Sequence, residues 1–131
     1  MIRYLIAFVF LMHGLAHFAG VFAPWSKGRL GFSDRPWIFS KGIRLNGWVG
    51  RVFGLVWLAA SILLASSAYG IFTSQIWWPS LAIAGSLASL LAILPWWKAV
   101  VSGAKAGAFF DLLIIVLLLS PLKEQLLSFL L

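Results

Sequence analysis

The chain has 131 residues, of which 63% are hydrophobic and 10% are charged, and its formal net charge is +7. A soluble domain carries roughly 25% charged residues, so this composition excludes an ordinary soluble protein. The lack of cysteine excludes disulfides, thiolate metal ligands and thiol redox chemistry. Because no soluble domain presents a basic face, we assign the positive charge to anionic lipid headgroups rather than to nucleic acid.

Four apolar stretches predict an all-α fold, an integral membrane four-helix bundle that forms a single transmembrane domain over residues 1–131. Each stretch is close to the ~20 residues that a helix needs to cross the hydrocarbon core. The first apolar run is longer than a signal peptide requires, so we expect it to be retained. The expected spans are about 2–23, 48–72, 77–94 and 100–120, with prolines marking their ends at Pro24, Pro79, Pro95 and Pro121.

Basic residues concentrate in the loop 24–47 and in the short loop between the third and fourth spans. Only Arg3 and Lys123 lie on the opposite side. The positive-inside rule therefore places both basic loops in the cytoplasm and both termini outside it. The loop 24–47 also carries large apolar side chains, a mixture typical of segments that lie along the lipid headgroups.

The polar residues inside the predicted spans are the candidate functional residues. His13 and His17 are one helical turn apart and point the same way from the first span. If the fourth span begins near Val100, its Asp111 lies level with His13, and His17 and Lys105 form a second, shallower level. If that span begins nearer residue 106, Asp111 meets His17 instead. Either register brings a carboxyl group to an imidazole, provided that the two helices touch.

Several kinds of chemistry remain open for these residues. A His–Asp pair can hold a proton, orient an imidazole or help to bind a metal. His13, His17 and Asp111 together are a possible two-histidine, one-carboxylate metal set. Two histidines on one helix face cannot ligate one haem from both sides, although a single axial histidine can. A purely structural polar contact is the simplest alternative. In a ligand-binding site, Lys105 and Arg51 are expected near the mouth.

Three segments carry a resemblance to a known family. The run FVFLMHGLAHF at residues 8–18, followed by Gly20, resembles the opening helix of small DoxX-like bacterial membrane proteins. GLVWLAASILL at 54–64 and GAKAGAFFDLLIIVLLL at 103–119 are similar to the second and fourth helices of short relatives. His17 stands where better-known members tend to carry a basic residue, and Asp111 where short relatives often have an amide.

This resemblance implies a four-helix bundle of the bacterial cytoplasmic (inner) membrane. Some DoxX-like members are associated with membrane oxidoreductase complexes, including thiosulfate:quinone oxidoreductase. We therefore expect a non-catalytic subunit, or a lipid- or quinone-binding component, of a membrane complex. Its partners would be the lipid bilayer and either a second protein or further copies of this chain. The alternative is a small membrane enzyme or transporter whose His/Asp site handles a proton, a metal or a small hydrophobic ligand. The sequence identifies no particular cofactor.

Overall fold

The structure is a computed structural model, and it describes residues 1–130; Leu131, the last residue of the predicted domain, lies outside the described residues. Two short 3₁₀ turns lie at Arg29–Gly31 and Leu94–Trp96. The α-helices of the described chain are α1 (Ile2–Ala16), α2 (Phe18–Phe22), α3 (Trp48–Phe72), α4 (Trp78–Ile93), α5 (Ser102–Leu119) and α6 (Leu122–Leu130).

Four helical segments are long and apolar enough to cross a membrane. They have mean hydropathies between 1.6 and 2.0, and they are Ile2–Phe22, Trp48–Phe72, Trp78–Trp96 and Ser102–Leu119. These bounds agree with the predicted spans to within about two residues, so the prediction of an all-α bundle with four membrane-length helices is confirmed.

The helices pack in the order α1–α3–α4–α5, and α2 also packs on α3. The central pair, α3 and α4, buries many small side chains, and these let the two backbones approach closely. Close packing matters here because hydrophobicity does not drive helices together in lipid. In contrast, α1 and α5 are not among the closely packed helix pairs. Side chains reach across part of the gap between them, among them Phe10 and Phe110, whose ring centroids are 6.1 Å apart. The bundle therefore has a looser side between its first and last spans.

The first span contains one tightened turn, at His17, which separates α1 from α2. The His17 ring nitrogen Nδ1 lies 2.8 Å from the carbonyl oxygen of His13. The backbone N–H of His17 donates instead to the carbonyl of Gly14, at 3.2 Å. A side chain that competes for a helix carbonyl commonly causes such a local adjustment. The span then continues, since the Val21 N–H donates to the carbonyl of His17.

The loop 24–47 folds back over one end of the bundle. Its backbone amides at Ser33 and Ile38 donate to the carbonyls of Ala99 and Pro95, each at 2.8 Å. Phe32, which is only 5% exposed, packs in the core together with Trp57. The loop is thus attached to the turn between α4 and α5.

The C-terminal segment forms the helix α6, whose apolar residues Leu126, Leu127 and Leu130 pack against the core. An apolar cavity of about 280 Å³ lies between α1, α5 and α6. The looser side of the bundle is therefore partly covered by α6.

Candidate functional site

Four polar side chains from three helices meet in the interior of the bundle. His13 and His17 come from the first span, Ser89 from α4 and Asp111 from α5. Ser89 and Asp111 are fully buried and His17 is 3% exposed. The His13 side chain keeps 11% of its surface accessible. We call these four residues the polar cluster.

The polar cluster is one continuous chain of hydrogen bonds. Nε2 of His13 lies 2.8 Å from Oδ1 of Asp111. The Ser89 hydroxyl contacts Oδ2 of Asp111 on one side and lies 2.7 Å from Nε2 of His17 on the other. Nδ1 of His17 contacts the carbonyl oxygen of His13 in α1, and this contact connects the last member of the cluster to the first. Buried polar groups need such partners, because an unmade hydrogen bond in a water-free interior is costly.

The hydrogen bonds of the polar cluster permit two arrangements of its protons. Nδ1 of His17 faces a carbonyl oxygen, so it must carry a hydrogen and donate. Ser89 has one hydroxyl hydrogen, which it can donate either to Asp111 or to Nε2 of His17. In the first case Nε2 of His17 also carries a proton, so His17 is an imidazolium and Asp111 is a carboxylate. In the second case Asp111 is protonated and donates to Ser89, and both side chains are neutral. A proton shift through the Ser89 hydroxyl interconverts the two arrangements.

Aromatic rings fix the orientation of both imidazoles. The His13 and His17 rings meet edge to face at 4.9 Å, and Phe110 lies edge to face with His13 at 5.0 Å. The Trp57 indole lies 5.2 Å from the His17 ring. Such packing holds a side chain in a single rotamer, so the hydrogen-bonding atoms are already in place.

A cavity of about 190 Å³ lies beside the two imidazoles, between the first span and the beginning of α5. A Cβ atom built at Gly107 would lie 3.2 Å from Cε1 and 3.8 Å from Nδ1 of His13, so this edge of the ring faces the cavity wall at Gly107. Nδ1 of His13 has no hydrogen-bond partner among the described residues. The walls include both histidines and apolar residues, namely Ala16, Ala19, Phe32, Trp57, Ile93, Val101 and Ala104.

The structure brings three of the predicted site residues together and leaves two apart. His13, His17 and Asp111 share the polar cluster, and Asp111 pairs directly with His13, as in the register in which the fourth span begins near Val100. Lys105 is partly buried, and its ammonium lies 5.5 Å from the centre of the Trp97 ring rather than beside His17. Arg51 is exposed on the first turn of α3. Neither Lys105 nor Arg51 lines the cavity beside the histidines.

The predicted metal set is also close together, because one ligand atom from each of His13, His17 and Asp111 lies within 4.8 Å of the others. A first-row ion holds its ligands at about 2.0–2.2 Å. To bind it, Nε2 of His17 would have to release Ser89 and move towards the His13–Asp111 pair. The donor types fit a two-histidine, one-carboxylate site, and Nδ1 of His17 already has the carbonyl contact that commonly orients a ligating imidazole.

Ser89 is the member of the cluster that sequence reasoning misses. A serine in an apolar helix usually bonds to the carbonyl four residues earlier in its own helix. Ser86 and Ser89 are both fully buried on α4, and only Ser89 has a hydrogen-bond partner for its hydroxyl. Since nothing in the sequence distinguishes these two serines, the signal lies only in how α4 is rotated against its neighbours.

The fold and the site together define a class: a multi-pass membrane protein of all-α architecture with a hydrogen-bonded polar cluster inside its helix bundle. Comparison of the chain with protein-family models, with curated proteins and with solved structures finds no match. The DoxX-like resemblance therefore depends only on the segments that carry it.

Proposed function

We propose that this chain is a DoxX-like, non-catalytic component of a membrane complex, and that it binds the head group of a quinone or quinol beside His13 and His17. The observation that carries the proposal is the small cavity that both imidazoles line, with the Nδ1 edge of His13 at its Gly107 wall. A cavity of about 190 Å³ is below the roughly 300–1,000 Å³ of pockets that enclose a drug-sized ligand. It suits one polar ring whose apolar tail remains in the lipid.

The polarity of the cavity fits this class of ligand. Its walls are mainly apolar, and among the described residues that line it the two imidazoles are the only ionisable side chains. When Nε2 of His13 donates to Asp111, a neutral His13 offers a lone pair at Nδ1, which can accept the hydroxyl proton of a quinol. When His13 carries both ring hydrogens, Nδ1 can donate to a quinone carbonyl instead. In both states Nε2 of His13 keeps its 2.8 Å contact with Oδ1 of Asp111.

The test is to titrate purified protein in detergent with decylubiquinone and with its quinol. Quenching of tryptophan fluorescence measures the binding. Trp57 lines the cavity, so a bound ring lies against a natural reporter. We expect saturable quenching by the wild type. A quinone that only partitions into the micelle would quench without saturation and would contradict the proposal.

A cavity-blocking variant separates site binding from general effects. Gly103 lines the cavity, and a Cβ atom there meets nothing within 4 Å. We expect Gly103→Leu to abolish saturable binding while the polar cluster remains intact. Ala106→Leu places the same leucine side chain at an exposed position of α5 that does not line the cavity, so this variant should bind normally. Equal affinity in both variants would overturn the proposal.

A second candidate function is supported by the hydrogen-bonded chain itself. Because Ser89 can donate in either direction, the polar cluster can pass a proton between Asp111 and His17. A small transporter or enzyme that handles a proton, or a metal ion at His13, His17 and Asp111, would use this feature. Proton flux into liposomes that is lost in Ser89→Ala, or stoichiometric metal in the purified protein, would favour this candidate over a purely binding role.

A further inference from the structure

A groove of about 560 Å³ is formed by residues of the loop 24–47 and by Lys98, and no residue of the polar cluster lines it. Four of its lining residues are basic, and they come from two parts of the chain: Arg35, Lys41 and Arg44 belong to the loop, and Lys98 to the turn before α5. Its remaining lining residues are Pro36, Trp37, Ile38, Phe39 and Ser40. We call this feature the basic groove.

The charge of the basic groove is largely uncompensated. The chain has three acidic side chains, of which Asp111 is buried in the polar cluster and Glu124 lies on α6. The third, Asp34, pairs with Arg29 at 3.3 Å and with Arg44 at 3.7 Å. Among the described residues, Arg35, Lys41 and Lys98 therefore have no acidic partner within 4.0 Å.

Hydrogen bonds to backbone carbonyls hold the two sides of the groove together. The Ser33 hydroxyl donates to the carbonyl of Lys98 at 3.0 Å, and the Ile38 N–H donates to the carbonyl of Pro95 at 2.8 Å. The Arg44 guanidinium also donates to the carbonyl of Asp34, at 2.6 Å, which closes the loop on itself. The three cations without an acidic partner are solvent-exposed and line one groove. Solvent screens their mutual repulsion, and an anion bound among them would be attracted by all three.

We propose that the basic groove binds the phosphate headgroup of an anionic glycerophospholipid. Basic pockets at the ends of membrane helices are typical sites for such headgroups. The rim of the groove supports a lipid rather than a soluble phosphate, because Ile38 and Phe39 are 47% and 70% exposed next to the cations. Exposed apolar side chains beside a phosphate site match the glycerol backbone and acyl chains of a lipid, whereas free phosphate gains nothing from them. This proposal does not depend on the quinone site.

The test is native mass spectrometry of the full chain in mild detergent with added phosphatidylglycerol or phosphatidylcholine. We expect stoichiometric phosphatidylglycerol adducts on the wild type and few phosphatidylcholine adducts. The variant Arg35→Gln/Lys98→Gln leaves the Arg44–Asp34 contact in place. We expect its phosphatidylglycerol affinity to fall by roughly 30-fold, from about 1 kcal/mol for each of the two basic residues removed.

A matched control removes the same charge elsewhere. Lys27→Gln/Lys123→Gln lowers the net charge equally, but neither residue lines the groove. Its phosphatidylglycerol adducts should match those of the wild type. An equal loss in both double variants would show that only net charge matters and would overturn the proposal. Displacement of the lipid by millimolar inorganic phosphate would assign the site to a soluble anion and would overturn it too.

A measurement on the wild type avoids any effect of substitution on folding. Phosphatidylglycerol with a photoreactive group near its headgroup should label peptides from the loop 24–47 and the segment around Lys98. Labelling spread evenly over all the loops of the protein would contradict a specific site.

Discussion

The hydroxyl of Ser89 lies 2.7 Å from Nε2 of His17, and this contact connects α4 to the first span in the interior of the bundle. The same hydroxyl also contacts Asp111, so one serine joins side chains from three helices. In a membrane interior no water can replace a lost partner. The contact therefore bears on both the stability of the bundle and the proton arrangement of the site.

We expect Ser89→Ala to destabilise the protein by ~1–2 kcal/mol, the range of polar contacts between membrane helices in model peptides. The reason is that Nε2 of His17 and Oδ2 of Asp111 lose their common partner. Ser86→Ala is the matched control, because the buried Ser86 hydroxyl has no hydrogen-bond partner. Reversible unfolding in mixed detergent and sodium dodecyl sulfate measures both variants. Equal stability of the two would show that the Ser89 contacts contribute little.

The His13–Asp111 pair can be tested by a double-mutant cycle. We expect His13→Leu and Asp111→Leu each to destabilise the bundle, because each leaves a buried partner unpaired. The double leucine variant should be less destabilised than the sum of the two, with a coupling of about 0.6–1.7 kcal/mol. Unfolding free energies of the four proteins give the coupling directly, and additive effects would mean that the pair has no energetic role.

Much of the fold could be predicted from the sequence, whereas the partners within the site could not. Hydropathy and prolines predict the spans because a bilayer requires a definite length of apolar helix. His13 and His17 are one helical turn apart, which places them on one face of the first span. Counting residues from the ends of the spans places Asp111 level with His13 in one of two registers. However, α4 and α5 are apolar on most sides, so no amphipathic pattern shows which residues face inward. This is why Ser89 is missed. Lys105 and Arg51, which are expected near the mouth of a ligand-binding site, do not line the cavity beside the histidines, and their role near a ligand stays a prediction.

Close packing of Gly20 against Trp57 gives a further prediction. A Cβ atom at Gly20 would lie 2.1 Å from Cδ2 of the Trp57 ring, which is itself only 3% exposed. We expect Gly20→Ala to cost ~1–3 kcal/mol, as overpacking of a core commonly does. Gly103→Ala is the contrasting variant, since its new methyl group meets nothing within 4 Å; it should be neutral or stabilise α5 by ~0.5–1 kcal/mol. Thermal unfolding in detergent compares them, and similar melting temperatures would contradict this packing.

The orientation predicted from the basic loops can be tested by cysteine labelling, because the chain has no native cysteine. Lys27 lies in the loop 24–47 and Gln75 in the turn between α3 and α4, and both are exposed. In intact cells we expect a membrane-impermeant maleimide to label Gln75→Cys but not Lys27→Cys. Both variants should be labelled once the membrane is opened, which shows that each thiol is accessible. If only Lys27→Cys were labelled in intact cells, the orientation would be the opposite of the predicted one. The basic groove would then lie on the outer face of the membrane. The positive-inside rule would then fail for this chain, whereas the four-helix packing would be unaffected.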